Sequence, residues 1–303
     1  MVAAGQVASV EYSVRLEDGS PYETRFDQGR VRLLVDGGGF APFLHRAVLQ
    51  MEPGEEKVVT VPPKEAFGEY DPAKTATLPK DSAPGEMSVG SVLQLWTGQK
   101  AKVTEVSDEG FKIDWNPPGA GTSLVMDVKV LEAAPAESVL KGATFAGGCF
   151  WGLELAFQRA QGVVSTKVGY AQGDVKRPSY SDVCTGRTGH TESVRVLYDP
   201  SETTFQNLLR TFFDRHDPTQ ANGQGNDRGT QYRAGVYFHD DDQKKIAEAF
   251  FEEEKSRLGL KKIVTELEEV KDFYDAEEEH QQYLQKGGQD AKKQATETIR
   301  CYG

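Results

Sequence analysis

The sequence predicts two domains of different class, a mostly β domain followed by an α/β or α+β two-layer domain. Three observations predict this. The chain has 303 residues, enough for two ordinary cores. Short strands, Gly/Pro turns and a single helix fill the first part, whereas strands and helices alternate in the second. Between them, residues 133–140 read AAPAESVL, small, polar and Pro-interrupted, and are taken as a linker.

In the first part, Val7–Leu16 alternates as a strand and ends at the turn Asp18-Gly19. Ala41–Met51 carries Phe43, Leu44, Ala47 and Val48 on one helix face. Met51-Glu52-Pro53-Gly54 turns the chain into the strand Lys57–Val61. Val92–Thr97, Ala101–Val106 and Phe111–Trp115 are short strands, and Ser123–Leu131 alternates again. This pattern suggests a curled antiparallel sheet with a β-rich insert. Asp36-Gly37-Gly38-Gly39 reads as a turn, since no Gly-Lys-Ser/Thr follows to make a phosphate loop.

The second part opens with the strand Ala143–Ala146, ended by Gly147-Gly148. A helix follows, with Phe150, Leu153 and Phe157 on one face and Gly162 as its stop. Val163–Val168, Ser193–Tyr198, Arg233–Phe238 and Ile263–Val270 read as strands. Thr204–Phe213 reads as a helix, and Asp240–Asp242 caps another running to about Leu258. Ala276–Leu284 reads as a short helix, and Gly287–Gly303 as an extended surface tail. The runs Glu252–Glu254 and Glu277–Glu279 read as solvated helix faces.

Charge and cysteine content narrow the function. The net charge is −12, which argues against nucleic acid and anionic membrane as partners. No apolar run is long enough to span a membrane, and the first residues lack the pattern of a secretory signal. A transit peptide removed upstream would leave no trace. The three cysteines, Cys149, Cys184 and Cys301, form no Cys-x-x-Cys pair, and the His spacing offers no zinc site, so no metal is expected. So few cysteines suit a reducing compartment, the cytoplasm or an organelle such as the plastid.

Cys149 stands where a strand gives way to a helix, in Gly148-Cys149-Phe150-Trp151-Gly152. The first turn of a helix offers unpaired N–H groups and the positive end of the macrodipole, and both favour a thiolate. The thiolate is the nucleophilic form. Phe150 and Trp151 next to it are candidates for an apolar wall, one facing the core and one the pocket.

The segment Gly148–Glu154 resembles the signature of class A peptide methionine sulfoxide reductases. The resemblance continues through Gly169–Ala171, Pro178–Gly186, Thr188–Glu192, His216–Pro218, Gly225–Arg233, Glu279–Leu284 and Ile299–Gly303, and so covers residues 141–303. It implies an α+β two-layer sandwich with a mixed sheet. It implies that Cys149 attacks the sulfoxide sulfur and that Glu192 gives a proton to the sulfoxide oxygen. Tyr180 and Tyr232 hydrogen-bond that oxygen, Phe150 and Trp151 cage the methionine methyl group, and Asp227 stands at the pocket rim. Cys301 is the implied second thiol, and Ala295 occupies the place where similar reductases often carry a further tail cysteine, so a single Cys149–Cys301 disulfide is expected. Cys184 is expected packed and inert. The S epimer follows from the resemblance, as does thioredoxin as external reductant, with no bound cofactor.

Lys64–Asp71 resembles a segment of FKBP-type prolyl isomerases. Leu78-Pro79-Lys80, Met87–Gly90 and Asn116–Gly121 resemble the SlyD-like subgroup with a flap insert that binds unfolded polypeptide. The family usually has Tyr where Phe67 stands, and its helix-opening Val-Ile-x-Gly reads Phe40-Ala41-Pro42-Phe43, which leaves isomerase activity open. The expected organisation is an FKBP-like domain at 1–132 with its insert at about 75–120, a linker at 133–140 and a reductase at 141–303. The expected partners are thioredoxin, oxidised or unfolded proteins and methionine sulfoxide. The alternative is a chaperone or prolyl isomerase whose C-terminal half only senses redox state.

Overall fold

A computed structural model describes residues 1–22, 28–36, 41–83, 85–95, 100–117 and 119–300. Cys301 therefore lies outside the described residues, as do Gly37–Gly39 and Phe40, Trp96-Thr97 at the end of an expected strand, and Pro118.

The first half is built on β1 (Gln6–Leu16), β2 (Gly29–Leu34), α1 (Pro42–Val48) and β3 (Glu56–Val61). An excursion follows, made of β4 (Thr75–Pro79), β5 (Val92–Gln94), β6 (Lys100–Val106) and β7 (Gly110–Asp114), before β8 (Leu124–Pro135) returns. The main sheet has the order β2-β1-β8-β3, antiparallel throughout. Along β8 the residues Leu124, Met126, Val128 and Val130 alternate into the core, where they meet Phe43, Leu44 and Val48 of α1. The excursion forms a separate antiparallel sheet, β4-β7-β6-β5, with its own small core around Ala101, Val103, Phe111 and Ile113. The β-rich insert expected on the main sheet is thus present. Strands in both sheets escaped pattern reading, β2 in the main sheet and β4 in the insert. β2 (GRVRLL) interrupts its apolar run with arginines, and β4 (TATLP) carries one large apolar side chain.

The expected linker carries regular structure. β8 continues through Pro135, pairing with β1 as far as Gln6, and one helical turn, α2 (Ala136–Val139), follows. Alanine and proline at a strand end have little intrinsic preference for a sheet, and the eleven-residue neighbour β1 supplies the missing hydrogen bonds.

The second half runs β9 (Lys141–Ala146), α3 (Phe150–Arg159), β10 (Val163–Ala171), α4 (Tyr180–Cys184), β11 (Thr191–Tyr198) and α5 (Phe205–Phe213). The short pair β12 (Gly223–Gln224) and β13 (Asp227–Arg228) follows, then β14 (Gly235–Phe238), α6 (Asp241–Arg257), β15 (Glu266–Glu269), β16 (Tyr274–Asp275) and α7 (Tyr283–Lys286). Six strands form one mixed sheet in the order β15-β14-β9-β11-β10-β16, antiparallel except for the pair β14–β15. This is the α+β two-layer sandwich with mixed sheet. Helices α3, α5 and α6 cover it with Phe157, Phe212 and Phe250, each nearly inaccessible. Thr204 and Asp240 cap α5 and α6 through side-chain oxygens that accept from Asn207 and Gln243 N–H.

Three local expectations are corrected. Ala276–Leu284 is mostly turn, with the helix starting only at Tyr283, because Gln281 spends its side chain on the backbone of Val168 and Ala276. Glu254 is not solvated. It is fully buried between Arg210 and Arg257. Glu277 is half-buried and hydrogen-bonded, as described below. The described part of the tail is pinned, since Arg159 donates to Asp290 and Glu297 carbonyls and Lys293 to those of Gln158 and Val163. The halves touch through a buried ion pair between Arg32 and Asp199 and through Lys100–Glu297 and Arg300–Gln94 contacts. Among the described residues, no helix is long and apolar enough to cross a membrane, and no group of three His, Cys, Asp or Glu is placed to hold a metal.

Candidate active site

The site is built where β9 ends. Gly148 has φ +80°, and a Cβ there would lie 2.7 Å from Gln224 Cβ, so only glycine lets the chain turn here. The turn makes Cys149 the N-cap of α3, half-buried, with Phe150 as the first helical residue. The Phe150 N–H, unpaired within a helix at that position, donates to Glu192 Oε2 at 3.1 Å. The carboxyl group is thereby tied to the residue that follows Cys149.

Glu192 lies near the start of β11, opposite Tyr170 of β10, and its side chain is 2% exposed. Burial pushes its pKa up to about 8; the Phe150 N–H opposes this shift and the charge of Asp227 adds to it. A carboxyl group in this state holds a proton near neutral pH and can give it up to a substrate.

Two phenols face the same region. Tyr180 opens α4, whose N-cap Ser179 forms a capping box with Asp182. Burial, then the charge of Glu192, raises its pKa well beyond the usual tyrosine range. Tyr232 ends the 3-10 turn Thr230–Tyr232. Burial and the Glu192 charge push its pKa up to about 12, and Cys184, Asp227 and Cys149 lie within electrostatic reach of it. Both phenols therefore stay protonated hydrogen-bond donors. The turn is fixed by Thr191, whose Oγ1 donates to the carbonyl of Gln231 or of Arg233, and by Arg233, which grips Glu266 and the Gly189 carbonyl.

Phe150 is 1% exposed and forms the floor, with ring centroids 6.1 Å from Tyr170 and 6.5 Å from Tyr180. Trp151 is half-buried and stacks on Tyr283 at 4.0 Å and on His280 at 5.7 Å. His280 in turn lies 4.3 Å from the Tyr180 ring. Asp227, on β13, is half-buried. All sequence-predicted site residues within the described part thus belong to one region; Cys301 is not among the described residues.

Sequence reading missed three neighbours of this site. His280 and Tyr283 sit three residues apart in a short turn segment, a spacing that was readable but carried no sign of which wall it would join. Cys184 is exposed rather than packed in the core. It hydrogen-bonds Tyr180; burial of the thiol and the charges of Glu192 and Glu277 push its pKa up, with the Tyr180 bond opposing them. A helix of five residues leaves its last side chain at the rim, which the sequence alone does not reveal.

In the first half, the half-buried Phe67 stacks on Tyr22 at 5.1 Å and meets Phe43 edge-on at 6.5 Å. No buried carboxyl or nucleophile accompanies this cluster among the described residues.

Residues 141–300 match the family of peptide methionine sulfoxide reductases, and residues 1–94 match FKBP-type peptidyl-prolyl cis-trans isomerases. The chain is 54% identical over 166 residues to the chloroplastic peptide methionine sulfoxide reductase A4 of Arabidopsis thaliana, covering 53% of this chain and 64% of that one. It is 53% identical to peptide methionine sulfoxide reductase A3 of the same plant, covering 53% of this chain and 82% of that one. The reduced form of Mxr1 from Saccharomyces cerevisiae is 42% identical, with 49% of this chain and 86% of that chain covered and a TM-score of 0.46.

Proposed function

The chain belongs to the peptide methionine sulfoxide reductase family, fused to an FKBP-type domain, and we propose that it reduces methionine S-sulfoxide, free or in proteins, to methionine. The observation that most supports this reading is the hydrogen bond from Phe150 N–H to Glu192, a buried carboxyl group whose pKa burial raises to about 8.

In the proposed reaction the Cys149 thiolate attacks the sulfoxide sulfur while Glu192 protonates the sulfoxide oxygen. A bond forms between the two sulfurs and the protonated oxygen leaves as water; a water then attacks the cysteine sulfur and breaks the sulfur–sulfur bond, so methionine leaves and Cys149 becomes a sulfenic acid. The cysteine sulfur is oxidised by two electrons and the methionine sulfur reduced by two. Tyr180 and Tyr232 donate hydrogen bonds to the oxygen as negative charge develops on it. Phe150 and Trp151 hold the methyl group, and Asp227 orients the substrate backbone at the rim. Cys301 then condenses with the sulfenic acid, releasing water and forming the Cys149–Cys301 disulfide. A thioredoxin dithiol reopens it. No bound cofactor or metal takes part.

The proposed organisation is an FKBP-like domain at 1–132 with its insert at about 75–120, and a reductase at 141–303. The first domain binds oxidised or unfolded polypeptide and raises its local concentration at the reductase. Isomerase activity is not part of the proposal. The compartment is a reducing one, the cytoplasm or a plastid. A pure redox sensor would need the thiol alone, and Glu192 with both phenols would serve nothing in it.

The test is thioredoxin-coupled NADPH oxidation with each epimer of a blocked methionine sulfoxide. Turnover on the S epimer only, absent in Cys149→Ser and stalled after about one turnover in Cys301→Ser, is the expected result. No turnover on either epimer with competent thioredoxin would refute the reading.

A further inference from the structure

Glu277 was read from sequence as a solvated acid and has no part in the reaction above. Its surroundings are specific. Oε1 accepts from the backbone N–H of Tyr180 at 2.8 Å, and Oε2 accepts from the Tyr170 hydroxyl at 2.8 Å. The Tyr180 N–H is the first of α4 and has no acceptor inside that helix. Tyr170 is fully buried on β10 and is the cross-strand partner of Glu192. One carboxylate therefore spans from the strand position beside the acid to the residue that opens the phenol's helix.

The group is held as an anion. Burial pushes its pKa up, but the Tyr180 N–H, the Tyr170 hydroxyl and nearby His280 outweigh burial and leave it below the usual carboxylate range. Charge-assisted hydrogen bonds of this kind are short and stiff. The α4 capping box fixes the Tyr180 backbone, and its ring is held by contacts with His280 at 4.3 Å and Phe150 at 6.5 Å and by its contact with Cys184 at the rim. Ring contacts define a plane but not a position along it.

We propose that Glu277 is a positioning residue for the reductase: by bridging the Tyr170 hydroxyl and the Tyr180 N–H, it sets the Tyr180 phenol at a fixed distance from Glu192, so that both reach one sulfoxide oxygen. This rests on the reading of Tyr180 as a donor to that oxygen. Its effect on rate passes through Tyr180 alone.

The experiment uses the full chain and the S-sulfoxide of a blocked methionine. It compares kcat and KM for wild type, Tyr180→Phe, Glu277→Ala, Glu277→Gln and the double variant Tyr180→Phe/Glu277→Ala. Displacing a reacting group by an ångström can cost up to 100-fold, so Glu277→Ala is expected to lower kcat about 10-fold with KM changed by less than about 3-fold. Gln keeps an acceptor for the Tyr180 N–H and is expected to stay within about 3-fold of wild type. In the double variant the Glu277 change adds less than about 2-fold to the loss from Tyr180→Phe, because the two act as one unit. A full additional 10-fold loss in the double variant would show that Glu277 acts by another route and would overturn the proposal, as would an unchanged kcat in Glu277→Ala. Should Glu277→Ala not fold, Tyr170→Phe removes one of the two tethers. It is expected to lower kcat about 3-fold, again without adding to Tyr180→Phe, and additivity there would be equally decisive against it. Wild-type turnover with a Tyr180→Phe loss but no Glu277 effect sinks this proposal alone; a silent wild type sinks the reading beneath it as well.

Discussion

The two halves of this chain each bury an apolar core and differ in what else they bury. In the N-terminal half the core is Val10, Tyr12, Leu44, Met126 and their neighbours, and the perturbed groups are surface carboxylates and cations such as Asp18, Glu56 and Lys129, shifted by hydrogen bonds at exposed positions. In the C-terminal half three glutamates are buried to 2% exposure or less; Glu254 is paired with Arg210 and Arg257, while Glu154 and Glu192 have pKa values near 7 and 8. Burying a carboxyl group is unfavourable unless its partners compensate, so such groups mark either a structural network or a reaction. Glu154 is of the first kind, because Thr166 and Gln282 occupy its oxygens with three hydrogen bonds. Glu192, the proposed acid, accepts from the Phe150 N–H, and its charge reaches both phenols. Hydrogen-bond saturation, more than the pKa value, separates the acid proposed to act from the acid that holds.

The contrast can be broken most severely at the nucleophile. Cys149→Ser should lower turnover by more than about 1,000-fold although Cys184 remains beside Tyr180. Substantial activity in that variant would make Cys184 the reacting thiol. Next is the acid. Glu192→Gln should lower kcat by about 100-fold or more. The wild-type rate should fall as pH rises through about 8, and that limb should be missing from the pH–rate profile of the variant. The same shift has a stability counterpart. The folded pKa lies above the value of 4.5 for an ordinary glutamate, so the stabilisation is complete below about 4.5 and is lost as pH rises toward 8. Glu192→Gln should therefore flatten the decline of Tm over that window, with Glu154 accounting for what slope remains.

Smaller effects sharpen the comparison. Tyr180→Phe and Tyr232→Phe should each cost about 10-fold in kcat, the worth of one hydrogen bond to developing charge, measured under saturating S-sulfoxide. Arg32→Ala tests the contact between the halves. Asp199, 2% exposed, would keep a buried carboxylate without its ion-pair partner, destabilising the chain by about 1–3 kcal/mol in denaturant unfolding. Turnover of the small blocked sulfoxide should stay within about twofold of wild type, since the contact touches no group of the site.

Much of this was legible beforehand for physical reasons. The glycine pair before Cys149, the cap at Asp240 and the alternation of β1 and β8 are local rules, and local rules can be read from local sequence. Strands that escaped, such as β2 and β4, are held by neighbours rather than by their own pattern. The roles of Glu277 and Glu254 escaped because a run of glutamates looks solvated until the fold presents partners from 97 or 44 residues away. Cys184 was misplaced for a similar reason, since its exposure depends on where a five-residue helix ends.

The most direct test of the account is a single turnover of Cys301→Ser with the S-sulfoxide. Methionine release is quantified and the sulfenic acid located by trapping with a dimedone-type reagent and peptide mass spectrometry. The account predicts one methionine per chain and the adduct on Cys149. An adduct on Cys184, or methionine release with Cys149 unmodified, would contradict it.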